Sequence, residues 1–459
     1  MYKRDPKAAW GWITASIFFP PFGSILYLLF GINRVRTKAK KLRWKWLPFL
    51  YPELNFDEDI TLYFSKSLPY KKYTTTSKFS PMARISDAIT KRHLLKGNKV
   101  VPLFNGDEAY PRMIEAISNA KYYVFLTTFI FDTGPVGQKF ISALSEAVKR
   151  NVDVRVIVDG IGEFYSYPRV SKFLKKNKIP FVRFLPPKIY PFSTFLNLRN
   201  HRKLLIVDGI KGFTGGMNIR EKHVVGDLKD PKKVQDVHFE LEGPIVAQME
   251  DIFLEDWGFC TGRYDRPKKR EKLSLRGEAI CRSITIGPNH DLNRLNIILT
   301  GAVSNAQESV YIITPYFLPT RELIGALQAA ALRGIDVNII LPEKNNLPYV
   351  HWASQNMLWE LLAYNVKVFY QPPPFAHTKI FLVDSYYLLI GSANIDPRSL
   401  RLNFEIVVEV FDKKLGKRMQ KYIQDLIQKS KRIYLSDVDN RPFLIRIRDS
   451  ICWLFSPFL

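Results

Sequence analysis

The sequence predicts an α/β protein made of two α/β/α sandwich halves related by a pseudo-twofold axis, with a membrane segment at its N-terminus. Three observations predict it. Apolar strand-like runs alternate with helical patterns after Gly97, the alternation recurs later in the chain at a near-constant offset, and a long uncharged run precedes both.

The uncharged run comes first. Ala8 to Gly31 holds 24 residues without a charged side chain, enough for a helix to cross a hydrocarbon core of about 30 Å. No small-residue cleavage pattern follows, so it does not read as a removed signal peptide. Pro20-Pro21 breaks the helical ladder in its middle, leaving either one kinked span or a re-entrant or interfacial hairpin of two short pieces. Trp10, Trp12, Tyr27 and Phe30 crowd its ends as interface anchors do. Arg34, Arg36, Lys38, Lys40, Lys41, Arg43 and Lys45 follow it, against Lys3, Arg4 and Lys7 before it. If the segment spans, the positive-inside rule puts the rest of the chain in the cytoplasm. If it does not, the same cluster attracts anionic headgroups. The membrane segment is thus assigned to 1–33, and a basic connector with Pro48, Pro52 and Pro69 to 34–96.

A first α/β domain is expected over 97–262. Tyr122 to Leu126 and Val152 to Val158 read as buried strands, with helical spacing from Lys139 to Lys149 between them. A second domain over 278–433 repeats the pattern: strands at Val310 to Thr314 and Ile335 to Ile340, and a helix at Glu322 to Leu332. The strand offsets are 186 and 183 residues, so the chain is an internal duplication. Duplicated halves pack about a pseudo-twofold axis, which brings equivalent strand ends into one cleft. The basic hinge, 263–277, reads as a solvated linker. The tail, 434–459, places Leu444, Ile447, Ile451, Leu454 and Phe455 at helical spacing. That amphipathic segment suits docking on its own protein and lying on a bilayer equally well.

Composition bounds the function. Apolar residues make up 46% of the 459, which excludes a disordered chain, and the net charge of +25 calls for a polyanion, nucleic acid or anionic membrane. The three cysteines, Cys260, Cys281 and Cys452, form no C-x-x-C pair, and no Cys/His cluster has zinc spacing. Neither a disulfide framework nor a metal is expected, and the site is expected to face a reducing compartment.

Each half carries one string. The first is His201-Arg202-Lys203 with Asp208, then Gly215-Gly216-Met217-Asn218; the second is His377-Thr378-Lys379 with Asp384, then Gly391-Ser392-Ala393-Asn394. Histidine to asparagine is seventeen positions in both. On a strand, histidine and lysine two apart share a face, so both address one ligand. A histidine can attack phosphorus or protonate a leaving alcohol. Lysine ammonium and asparagine amide groups can hold nonbridging phosphate oxygens. Two facing histidines divide the labour without a cofactor. A carboxylate behind each would fix its tautomer, and Asp236 and Glu405 are the candidates. A single His-x-Lys is ordinarily a solvated strand edge; two copies at matched spacing in a duplicated scaffold are not. His93, His290 and His351 read as ordinary residues, and His223 and His238 as neighbours of the site.

The doubled H-x-K-x4-D string resembles the phospholipase D superfamily, and the chain is similar over nearly its whole length to the bacterial cardiolipin synthases. Phe30-Gly31-Ile32-Asn33, Asp107-Glu108-Ala109-Tyr110-Pro111, Leu198 to Lys203, Thr314-Pro315-Tyr316-Phe317 and Arg441-Pro442 carry that closer likeness. Gln235 departs from it, standing before Asp236 where the family usually has a basic residue. The resemblance implies phospholipase D-like halves and transfer of a phosphatidyl group from phosphatidylglycerol through a phosphatidyl-histidine, with glycerol released. It makes His201 the nucleophile, His377 the acid and base, and Lys203, Lys379, Asn218, Ser392 and Asn394 the phosphate ligands. Asp208 and Asp384 complete the catalytic motifs by positioning lysines and backbone. It also implies a bacterial inner membrane location with the catalytic domains facing the cytoplasm. A phosphatidylethanolamine-using transferase and a hydrolytic phospholipase D use the same residues. A nuclease leaves the apolar ends unexplained, so no nucleic acid partner is expected, and a silent membrane scaffold leaves the two His-x-Lys sets unexplained.

Overall fold

The computed structural model describes residues 6–28, 77–90, 92–187, 198–226, 230–263, 265–269, 274–288 and 293–456. The apolar runs become strands, most of them buried on both faces and therefore in need of cover on both sides. In the first half these are β1 (Leu95–Phe104), β2 (Tyr123–Thr128), β3 (Asp153–Asp159), β4 (Phe181–Phe184), β5 (Leu204–Val207), β6 (Lys211–Gly215), β7 (Val234–Gln235) and β8 (Val237–Glu242). In the second they are β9 (Ala279–Ile286), β10 (Ser309–Ile313), β11 (Asp336–Pro342), β12 (Lys367–Gln371), β13 (Phe375–Ala376), β14 (Ile380–Val383), β15 (Tyr387–Gly391), β16 (Glu405–Phe411) and β17 (Lys431–Ile433).

One fifteen-stranded sheet runs through both halves in the order β17-β12-β11-β10-β14-β15-β16-β9-β1-β8-β6-β5-β2-β3-β4. From the central antiparallel β1–β9 pair, the order β8, β6, β5, β2, β3, β4 is matched on the other side by β16, β15, β14, β10, β11, β12. The duplication in the sequence is therefore a duplication of strand position.

Alternation along the strands sorts side chains between layers. Val124 and Leu126 pack with Phe140 and Leu144 of the helix Pro135–Lys149, while Tyr123 and Phe125 turn to the other face. There Phe125 stacks on Phe253 of the helix Ile245–Thr261 at 4.8 Å. The second half repeats the rule: Val310 and Ile312 enter its own core, and Tyr311 and Ile313 the opposite one. That opposite core is common property. Phe253 of the first half and Met419 of the second-half helix Lys413–Lys429 belong to it together, so the halves cannot separate without opening it.

One stretch departs from the sequence reading. Within the connector, 34–76 lies outside the described residues, but Ser80–Thr90 is a helix packed on the second half. Its Met82 and Ala83 are buried, Ser86 Oγ donates to Glu409 Oε1 at 2.6 Å, and the fully buried Arg282 reaches Ala83 O and Glu409 at 2.9 Å each. Ile85 and Ile89, at helical spacing from Met82, pack on the same core, so the helix carries a short apolar stripe beside these polar anchors. At the N-terminus, helices Pro6–Phe18 and Phe22–Leu26 fold back on each other, with Trp12 and Tyr27 rings 5.5 Å apart. Among the described residues no helix is long and apolar enough to cross a membrane. Phe30 and the Arg34 to Lys45 cluster lie outside the described residues.

The motif aspartates act on the scaffold. Asp208, at a φ of 53° just past β5, accepts from the backbone N–H groups of Lys121, Tyr122 and Tyr123 at 2.8 Å each. Asp384, at 50° past β14, accepts from Gln307, Glu308 and Ser309 and pairs with Lys78 Nζ at 3.1 Å. Each carboxylate fastens the entry of β2 or β10 to the exit of the motif strand. Asp208→Ala strands three donors and is expected to lower unfolding free energy by about 2–4 kcal/mol. Chemical denaturation checks it, and an unchanged midpoint would refute the fastening role.

Candidate active site

The strings His201-Arg202-Lys203 and His377-Thr378-Lys379 were expected on strands. They lie instead just ahead of β5 and β14, extended but outside the main sheet. Their backbone pairs with the other half. His201 N donates to Phe404 O at 2.9 Å, and Phe404 N donates to Arg199 O at 2.9 Å. In the mirrored position β13 pairs with β7, and His377 N donates to Gln235 O at 2.7 Å. Gln235, the departure from the family pattern, holds this junction further by accepting at Oε1 from Gln371 Nε2 at 2.7 Å.

The next residues after Phe404 and Gln235 are Glu405 and Asp236, and this crossing delivers them to the imidazoles. Glu405 Oε1 lies 2.9 Å from His201 Nδ1, and Asp236 Oδ2 lies 2.9 Å from His377 Nδ1. Each half thus supplies the carboxylate for the other half's histidine. With Nδ1–H given to the carboxylate, Nε2 of His201 is left to face a ligand, while Lys379 Nζ lies 3.1 Å from Nε2 of His377.

Glu405 is fully buried and held by three donors: Ser392 Oγ at 2.5 Å, and Ser399 Oγ and Asn403 Nδ2 at 3.3 Å. Burial pushes its carboxyl up, but the adjacent His201 and Lys203 and the Ser392 hydroxyl prevail and hold it below the ordinary range. Burial wins at Asp236, which is raised. Burial also lowers both imidazoles, with the two lysines adding to the effect. The lysine ammonium groups sit behind the rings, Lys203 Nζ on His201 O and Lys379 Nζ on His377 O at 2.7 Å each. Burial brings Lys203 down to about 7 and Lys379 to about 8.

Both histidines open on one cavity of about 590 Å³, with Asn218 and Asn394 in its wall. Asn218 Oδ1 accepts from Ile130 N at 3.0 Å, which leaves its amide N–H groups for a ligand. Of the other expected site residues, Lys203, Lys379, Asp236 and Glu405 touch the histidines but do not line the cavity, and three more stand elsewhere. Ser392 is spent on Glu405 and Ile406 N and does not line the cavity. Asp208 and Asp384 occupy the far ends of β5 and β14. His223 lines the cavity with its ring 6.3 Å from that of His377, whereas His238 is buried outside the wall; burial brings them down to about 3 and about 4. Among the described residues, no group of three or more His, Cys, Asp or Glu is placed to hold a metal ion.

The cavity also recruits residues that the motifs do not nominate. Arg220, Lys222, Lys232, Lys233, Lys344 and Arg398 line it with a single acidic residue, Asp396, among them. Phe129, Tyr165, Leu347 and Tyr349 add an apolar share. Arg220 and Lys222 follow Asn218 within four residues, so charge next to the motif was the available signal. Arg398, in the short helix Pro397–Arg401, likewise follows Asn394 by four residues, whereas Lys344 arrives from a distant loop. Such a site attracts an anion, presents two imidazoles to it and leaves room for organic groups on either side.

The chain is similar to several known proteins. A family described as "Cardiolipin synthase, PLD-like domain" matches residues 113–257 and 299–427, and a "Phospholipase_D-nuclease N-terminal" family matches 1–31. The major cardiolipin synthase of Bacillus subtilis is 30% identical over all of this chain and 95% of its own length. Cardiolipin synthase 1 of Staphylococcus epidermidis is 29% identical over all of this chain and 93% of its own length. In fold, the chain is similar to the phosphatidylserine synthase of Haemophilus influenzae, with a TM-score of 0.63 and 16% identity over 82% of this chain and 100% of that one.

The lysines make anion binding pH-dependent. Their charged forms persist below about 7 and about 8, so charge beside the two imidazoles is lost as pH rises. A soluble phosphodiester, whose own charge is constant, should bind about tenfold more weakly at high pH than near neutrality. Calorimetric titration across that range checks this, and a flat profile would remove the lysines from the phosphate site.

Proposed function

We propose a phosphatidyl transfer as the reaction of this chain, which belongs to the cardiolipin synthase family of phospholipase D-like proteins. One phosphatidylglycerol donates its phosphatidyl group to a second, giving cardiolipin and free glycerol. The observation that carries this reading is the pair of crossed carboxylate–imidazole contacts on one cation-lined cavity.

In the first step His201 Nε2 attacks phosphorus, the P–O bond to glycerol breaks, and His377 gives its proton to the departing oxygen. The second phosphatidylglycerol then brings its terminal hydroxyl. His377 takes that proton, the new P–O bond forms and the P–N bond breaks. The ionised Glu405 favours His201 as the nucleophile, because positive charge on its phosphorylated ring is then balanced at 2.9 Å. The diester's negative charge between the lysines offsets their repulsion of His377 and lets it hold a proton when substrate is bound. Lys203, Lys379 and Asn218 are assigned to the nonbridging oxygens, and Asn394 joins them in the wall. Asp208, Asp384 and Ser392 are assigned to positioning, through backbone and Glu405.

The location proposed is the bacterial inner membrane, with the catalytic halves on the cytoplasmic side. The N-terminal family match at 1–31 and the basic run after it support this.

Detergent-solubilised protein given phosphatidylglycerol labelled in its headgroup should yield cardiolipin and labelled glycerol. His201→Ala or His377→Ala should lower the rate by at least about 10³-fold. Phosphatidic acid as sole product would select hydrolysis instead, and a requirement for phosphatidylethanolamine would change the donor. Glu405→Gln keeps the shape but loses the charge, and should cut kcat by about 10²–10⁴-fold with KM nearly unchanged. An equal loss through KM alone would place Glu405 in binding.

A further inference from the structure

We propose that the C-terminal helix Phe443–Leu454 is an interfacial membrane anchor that seats the cavity mouth on the bilayer; this rests on the lipid-transfer reading above. The helix has two differently employed faces. Its inner face packs on the helix Pro348–Leu362. There Asp449 is fully buried and paired with Arg441 and Arg448, and Arg448 lies 4.2 Å over the Trp352 ring. Ser450 Oγ donates to Asn356 Oδ1 at 3.0 Å, and Cys452 and Trp453 pack against the second-half core. These contacts fix the helix's rotation.

The outer face is apolar as well. Leu444, Ile447, Ile451 and Leu454 stand three or four residues apart and so form one stripe, opposite Asp449 and Cys452. Their exposures are 77%, 40%, 51% and 67%, and Phe443 and Phe455 extend the stripe at 74% and 58%. A surface helix in water carries polar residues outward, and an apolar patch of this kind marks a covered surface.

Three features make a bilayer the cover. First, Trp352, beneath Arg448, is one turn from Tyr349, which lines the cavity together with Leu347 and Val350. The apolar stripe and the mouth therefore share one supporting helix. Second, a two-chain lipid substrate loses about 0.8 kcal/mol for every methylene drawn into water, so its phosphate must be met at the interface. Third, exposed Arg446 and the net charge of +25 suit an anionic headgroup layer.

The test uses the full chain with Cys260→Ser and Cys452→Ser, and an environment-sensitive dye on Leu444→Cys or, as control, on exposed Lys149→Cys. Adding vesicles of phosphatidylglycerol and phosphatidylcholine should blue-shift the dye at 444 only. Brominated acyl chains in those vesicles should quench about half of its emission or more. A dye already shielded before vesicles are added, or shielded more at higher protein concentration, would mean a protein cover and overturn the proposal; so would emission indifferent to brominated lipid. Binding is read without turnover, so a seated helix in a chain that makes no cardiolipin would count against the reaction alone. Conversely, cardiolipin formed with the dye unquenched would count against the anchor alone. Joint Leu444→Asp and Ile451→Asp substitution should raise the apparent KM for vesicle phosphatidylglycerol about tenfold. Turnover of dispersed short-chain phosphatidylglycerol should be unchanged, and equal damage to both substrates would indicate a merely structural helix.

Discussion

The site depends on an exchange between halves: each imidazole takes its backbone support and its carboxylate from the opposite half. His201 is bonded to Phe404 and Glu405, and His377 to Gln235 and Asp236. A hydrogen bond at 2.9 Å tolerates little displacement, so the two halves must keep a fixed relation for either ring to be oriented. The continuous sheet and the core shared by Phe253 and Met419 supply that rigidity. In this sense the large common core serves the geometry of two small contacts.

Burying so many ionisable groups around one cavity is costly, and the cost sets the electrostatics. Lys203 and Lys379 sit where burial draws their charge toward neutrality, and the histidines are driven toward their neutral forms. Glu405 offsets part of this because serine and asparagine donors hold its charge. The cavity wall is short of negative charge, with Asp396 its one acidic residue among several cations. An anionic phosphodiester supplies it, and a site organised in advance around that charge needs little rearrangement during reaction.

The symmetry is incomplete in instructive places. Gly216 and Ser392 occupy matching motif positions, yet only the serine reaches a carboxylate, Glu405. A Cβ on Gly216 would come within 2.4 Å of Asp236 Oδ2, so the shorter carboxylate leaves no room for a side chain there. The two imidazoles consequently sit in unequal fields, with one partner carboxyl held low and the other raised. A duplicated scaffold can thus assign different roles to equivalent histidines.

Much of this was legible in the chain. Buried strands such as Tyr123–Thr128 and Ser309–Ile313 announce themselves by unbroken apolar runs, and the doubled motif fixes which histidines and lysines are paired, because both depend on neighbours in sequence. The helix Ser80–Thr90 was not read, although Met82, Ile85 and Ile89 mark an apolar stripe, because that stripe is short and is buried only by the second half. Nor was the partition of the motif residues: Asp208 and Asp384 fasten strand ends, Ser392 holds Glu405, and Lys344 joins the cavity from a far loop. Which carboxylate serves which histidine was decided only in three dimensions. The reason is physical: spacing along a strand determines which side chains share a face, whereas a contact between residues about 200 apart exists only once two halves have packed.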